Sequence, residues 1–205
     1  MENIINKLDE KIKKSEENVS VLVKELNKSE SVYEYHSKTK VVSASTIKVP
    51  IMLAVLEEVR QGNISLNDEL LVKEEDVTYN TKVFENGEGY YSIWELINWM
   101  IINSDNTATN VLIRKIGMQK INNYILNVLK VKSTYLERYM LDKAAVEQGL
   151  NNYMSQEDMF EIFTKLFNKE ILNNELCGKA IQVLYNQRRT IWYYEIHLWT
   201  CKICS

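Results

Sequence analysis

Helix breakers are nearly absent from this chain. One proline, Pro50, and six glycines punctuate 205 residues, so where apolar side chains recur at helical spacing, little stops a helix from running. Apolar residues make up 45% and charged residues 26%. That composition suits a helix-rich soluble protein and is too apolar for a disordered one. The length fits one globular unit with a real core.

The spacing of Ile4, Ile5, Leu8 and Ile12 predicts a helix over 3–16 with a charged, solvated face. Residues 19–23 (VSVLV) and 31–35 (SVYEY) are β-rich and flank the polar turn Asn27-Lys28-Ser29-Glu30, the pattern of a hairpin. Further helices are predicted over 46–60, 92–103, 108–116, 118–130, 155–169 and 174–187. Gly62-Asn63 stops the first of them, and Gly117 is the expected C-cap of the third. The stretch between 62 and 92 reads as a polar loop. In the last residues the composition changes, with aromatics and two of the three cysteines crowded together and 191–199 a candidate strand. The order predicts an α+β fold: a helical lobe with an incomplete antiparallel sheet, made of the N-terminal hairpin and at most one C-terminal strand. The domain is expected over 1–188, with an atypical tail over 189–205. No internal repeat or low-complexity segment is present.

A net charge of −3, with lysines alternating with acids, leaves no basic stripe for nucleic acid. The opening MENIINKLDEKIKKSEE is charged where a secretory signal has its apolar core, and no apolar run reaches the roughly 18 residues of a membrane span. As written, the chain is expected to be cytoplasmic. Cys177, Cys201 and Cys204 are an odd number without an export signal, which argues against a disulfide framework. Cys201 and Cys204 could form half a zinc site, but no second pair exists and His36 and His197 are isolated, so no metal or other cofactor is expected.

The chemistry concentrates in Ser43-Ala44-Ser45-Thr46-Ile47-Lys48-Val49-Pro50. A serine at the mouth of a helix meets unpaired N–H groups and the positive end of the dipole, which stabilise developing negative charge. Lys48, three residues beyond Ser45, lies one turn along and can reach its hydroxyl; a desolvated, neutral amine there can take the proton. The same residues also make an ordinary N-cap followed by a surface lysine. Ser37 and Lys40 repeat the spacing in a polar strand or loop, without an apolar helix directly after them to bury the lysine. Context favours Ser45. Ser104-Asp105-Asn106, between two apolar helices, is what turns and helix starts are made of. It also offers a second hydroxyl for proton relay and an amide for Lys48 or a substrate carbonyl.

Together, Ser45-Thr46-Ile47-Lys48 and Ser104-Asp105-Asn106-Thr107-Ala108-Thr109-Asn110 resemble the class A β-lactamases and related penicillin-binding serine hydrolases. The resemblance covers roughly 1–187. It implies Ser45 as acylated nucleophile, Lys48 as its base or relay, Ser104 as relay to the leaving nitrogen, and Asn106 as a ligand of lysine and substrate. The implied reaction is acyl transfer from a β-lactam amide to serine, then hydrolysis. The implied partner is a small molecule, a β-lactam or a cell-wall peptide, handled by a monomer; members of the family are usually exported.

Two departures qualify that picture. The family's spacing from Ser104 reaches Met140 where a glutamate would activate the deacylating water, although Arg138, two residues earlier, matches the family's register. Glu137 and Asp142 are the nearby carboxylates that could substitute, given hydrogen-bond reach; Met140 itself suits a core-facing side chain that pins a loop. The family's Lys-Thr/Ser-Gly motif is absent, and Lys132-Ser133-Thr134 lacks the glycine and comes too early. In the family the strand of that motif binds the substrate carboxylate and supplies one of two oxyanion-hole N–H groups, and losing one such donor costs about 10²–10³ in rate. The expectation is a truncated or frame-shifted copy joined to a foreign tail near Arg188-Arg189, acylating but slow to turn over. A peptidoglycan peptidase or esterase of the same fold and a non-catalytic binding module are the alternatives.

Overall fold

The computed structural model describes residues 2–187 apart from 16–18, 27, 80, 82–83 and 85–87. The chain opens with α1 (Glu2–Lys13), whose Ile12 is buried while Ile4 faces solvent. The predicted hairpin follows: β1 (Val21–Lys24) pairs antiparallel with β2 (Ser31–Tyr35), Val21 opposite Tyr35, with a register slip at Lys24. Tyr33 donates to Asp9 Oδ1 at 3.0 Å and ties α1 to the sheet.

The molecule is built round α2 (Lys48–Arg60), in which residues 48–58 are buried without a gap. From Val49 to Leu56 its sequence is apolar on every side, as a helix enclosed by others requires, and α3, α4, α5 and α8 surround it. Pro50 falls in the first turn, where its missing N–H would have had no intrahelical partner. Gly62, at φ 74°, lies just past the end of the helix. At that end Glu57 and Glu58 are buried, and Arg60, Gln61, Lys120 and Asn63 meet them.

The remaining helices are α3 (Ile93–Ile102), α4 (Asn106–Ile116), α5 (Met118–Tyr124), α6 (Lys143–Glu147), α7 (Gln156–Phe167) and α8 (Asn174–Tyr185). Their starts are written in the sequence: Ser92, Asp105, Asp142, Ser155 and Asn173 each accept a backbone N–H as N-caps. The helix expected over 118–130 is not uniform. Past α5 it widens into a π-helical turn, Ile125–Leu129, which Lys130 ends at φ 56°.

Residues 62–92 hold more than loop. β4 (Glu69–Val72) pairs antiparallel with β5 (Gly89–Ser92), and Phe84, Tyr91 and Trp99 stack edge-to-face at 5.0–5.1 Å beneath them. A third ladder joins β3 (Val41–Val42) to β6 (Tyr153–Met154). Among the described residues the α+β architecture therefore carries three two-stranded antiparallel ladders, where the expectation was the hairpin and at most one C-terminal strand. The candidate strand over 191–199 and the tail over 189–205 lie outside the described residues. Among the described residues, no helix is long and apolar enough to cross a membrane.

Candidate active site

β3 leads into a 3₁₀ turn, Ala44–Ile47, that runs directly into α2. The turn is held from both sides: Ser43 N donates to Asn152 O at 2.9 Å, and Thr46 N returns to Ser43 O at 3.0 Å. Ala44 adopts φ 46°, a conformation that costs a residue with a Cβ about 1–3 kcal/mol. Its consequence is an exposed Ser45 next to the buried start of α2.

Ser45 is not the helix cap that composition also allowed. The residue before α2 is Ile47, which gives no side-chain cap, and Ser45 sits earlier, in the 3₁₀ turn. Its hydroxyl accepts from Ser104 Oγ at 2.9 Å. Lys48 is 2% exposed, and its Nζ donates to Ser104 O at 2.6 Å, Ser104 Oγ at 3.0 Å and Asn106 Oδ1 at 2.9 Å. One hydroxyl, that of Ser104, thus bridges lysine and serine. All four residues singled out from the sequence, Ser45, Lys48, Ser104 and Asn106, meet within hydrogen-bond distance.

Local chemistry explains how the second segment reaches the first. Asn103 N and Asp105 N both donate to Trp99 O, ending α3. Ser104, at φ 53°, turns its carbonyl and its hydroxyl toward Lys48. Buried Asp105 uses both carboxylate oxygens: Oδ1 accepts Ala108 N at 2.9 Å as cap of α4, and Oδ2 accepts Thr81 Oγ1 at 2.6 Å.

The third wall is the loop around Met140. Asn110, one turn beyond Asn106 on α4, clamps Met140 twice: Met140 N donates to its Oδ1 at 2.7 Å and its Nδ2 donates to Met140 O at 3.1 Å. Asn152, 1% exposed, accepts from Glu137 N and Arg138 N and donates to Arg138 O. Because Asn152 O also takes Ser43 N, one residue joins this loop to the turn that presents Ser45. Sequence reasoning assigned no role to Asn110 or Asn152. The i+4 spacing of Asn110 from Asn106 was the available signal for the first, and nothing local distinguished the second.

Met140, 8% exposed, lines a cleft of about 420 Å³ with Ser45, Asn106, Arg138, Asp142 and Lys143. Of the two carboxylates considered as substitutes, Asp142 lines this cleft while its Oδ1 caps Ala145 N at 3.0 Å. Glu137 turns away: its Oε2 accepts Asn151 N, and it lines a separate cleft behind the loop. Ser133 N and Thr134 Oγ1 bind Asp158 Oδ2, a structural contact. Ser37 Oγ donates to Glu34 at 2.6 Å and Lys40 lies over the Tyr153 ring at 3.9 Å, so that pair is committed elsewhere. Among the described residues, no three His, Cys, Asp or Glu side chains cluster as a metal site.

Comparison with known proteins returns beta-lactamases. A beta-lactamase from Rhodobacter capsulatus is 28% identical over 147 residues, covering 67% of this chain and 48% of that protein. A beta-lactamase structure from Chitinophaga pinensis superposes with a TM-score of 0.81 at 17% identity, covering 91% of this chain and 71% of that one. A representative class A beta-lactamase from Bacteroides cellulosilyticus gives 0.78 at 21%, covering 92% and 69%. The structural likenesses establish the beta-lactamase fold. The matches span about half or less of the curated relatives' own lengths. The model of the beta-lactamase enzyme family runs over residues 2–191, and the chain belongs to that family.

Proposed function

We propose that the chain is a serine hydrolase that accepts the acyl group of a β-lactam amide on Ser45 and releases it slowly. The reading rests on one observation above the rest: Ser104 Oγ stands between Lys48 Nζ and Ser45 Oγ, at 3.0 and 2.9 Å. Ser45 Oγ attacks the amide carbonyl carbon while its proton moves to Ser104 Oγ and that of Ser104 to Lys48, which in its neutral form keeps two N–H donors for Ser104 O and Asn106 Oδ1 and turns its lone pair to Ser104 Oγ. As the C–N bond breaks, the proton passes by way of Ser104 to the departing nitrogen, leaving an ester on Ser45. Asn106 holds Lys48 and is placed to hold a substrate carbonyl. Hydrolysis then requires a water deprotonated near the ester. Met140 has no group to do it, and of the two carboxylates that line the cleft, Asp142 and Glu147, Asp142 is the one on the Met140 loop.

Met140 also favours a second reading, a module that captures its ligand covalently or merely binds it. Intact mass spectrometry with a penicillin, followed over time beside Ser45→Ala, separates them. We expect an adduct of the drug's mass that persists for hours and is missing from Ser45→Ala. Rapid appearance and loss of the adduct with accumulating product would mean that Asp142 or another group supplies the base. No adduct on the native chain would remove the acyl-transfer reading. A peptidase of the same fold would instead form its adduct faster from a cell-wall peptide than from the drug.

A further inference from the structure

The catalytic cleft carries two cations, Arg138 and Lys143, that have no acidic partner at ion-pair distance among the described residues. Arg138 is half-buried and its donors go to neutral acceptors, Nε to Asn151 Oδ1 at 2.9 Å and Nη1 to Tyr139 O at 3.0 Å. Its position is therefore fixed while its charge is not neutralised. Lys143 is exposed, on the wall that also holds Met140 and Asp142, over the same cleft as Ser45 and Asn106. Local preference does not account for it: as the first residue of α6 it occupies the turn in which helices favour acids. Two acids face the cleft as well. Asp142 already serves Ala145 N through Oδ1, and Glu147 lies one turn after Lys143 without a salt bridge to it.

A lysine on a long flexible stem, with a fixed guanidinium charge on the same wall, is a suitable reader of a carboxylate arriving in the cleft. We propose that Lys143 recognises a carboxylate of the acyl donor and so biases the site toward anionic substrates. The proposal rests on Ser45 being the acceptor only for where the ligand sits, so binding and acylation can be read separately.

Three penicillins that differ in the charge of the side chain, anionic, neutral and cationic, share their remaining carboxylate and serve as probes. Their acylation rates on the native chain, Lys143→Arg, Lys143→Gln and Lys143→Glu are measured by mass spectrometry. Their dissociation constants are measured on Ser45→Ala with the same substitutions. Lys143→Glu should weaken the anionic probe about five- to twentyfold, most at low salt, with Lys143→Arg near native. An equal loss for all three, rescued by Lys143→Arg, would also support the proposal, with the shared carboxylate as the group read. Unchanged rates and affinities in Lys143→Glu would overturn it. If no probe acylates the native chain but the affinities on Ser45→Ala follow this pattern, carboxylate recognition stands and the acyl-transfer reading falls.

Discussion

Asn110 holds the backbone of Met140 at both its N–H and its carbonyl. A different side chain can therefore be placed there without moving the loop. Met140→Glu puts a carboxylate on the wall facing Ser45, where a water attacking the ester needs a base. We expect the penicillin adduct of this variant to decay about 10²–10⁴ faster than the native one, the range in which a positioned base acts. Time-resolved intact mass reads the outcome, and an equally persistent adduct would show that the loop geometry, not the missing carboxylate, limits release. The variant also buries an acid in place of a thioether, so its thermal midpoint should fall. At this scale the sequence was informative for Ser45, Lys48, Ser104 and Asn106, because a buried lysine one turn from a serine and a polar turn between apolar helices are visible patterns. It was silent about Asn152, since an asparagine after a glycine-containing turn looks the same whether it faces water or clamps a loop.

At the scale of elements, caps and apolar runs carried most of the fold. Gly117, at φ 89°, ends α4 where the pattern placed it, and the hairpin of β1 and β2 follows the expected segments, with Lys24 one residue past the first. β4 and β5 were missed for a physical reason: four-residue strands such as Glu69–Val72 show too little alternation to distinguish from loop, and they form by pairing across sequence with each other. β3 and β6, two residues each, are fixed only by the tertiary contact of residues 41–42 with 153–154. The start of α2 also differed, because the turn Ala44–Ile47 tightens to 3₁₀ under the hold of Asn152 on Ser43. The capping box at α3 gives a direct test of how far such local signals stabilise the whole. Ser92 Oγ accepts Glu95 N, and Glu95 Oε2 accepts Ser92 N at 2.9 Å. Ser92→Ala should cost about 1 kcal/mol in urea unfolding with an unchanged m-value. A loss near zero would mean that packing of α3 against α4 alone sets its stability.

For the whole molecule, the central fact is a helix with chemistry at both ends and core between them. Lys48 begins α2 at the cleft, and Glu57 closes it, buried, with both carboxylate oxygens on Arg60 and one also on Gln61. The hydrogen-bonded Arg60 guanidinium holds the Glu57 carboxyl below its ordinary value against the opposing effect of burial. A depressed carboxylate stabilises the fold at all pH values above its unfolded pKa, and that contribution disappears as the pH falls through the folded one. Stability measured by urea unfolding should therefore drop from pH 5 downward, and Glu57→Gln should flatten part of that slope while lowering stability at pH 7. An identical slope in the variant would assign the acid sensitivity to other carboxylates, such as Glu95 or Asp76, which are also lowered. The burial of residues 48–58 also dictates how the molecule trades its amide protons with solvent. Deuterium can reach the α2 backbone only when the surrounding helices part, so this segment should be the last to label, at the rate of global opening. The loop around Met140, held to it by a few asparagine contacts, should label far earlier. The helix that begins at Lys48 and the loop around Met140 would then differ in lifetime by orders of magnitude, the one permanent and the other renewed many times before the fold opens.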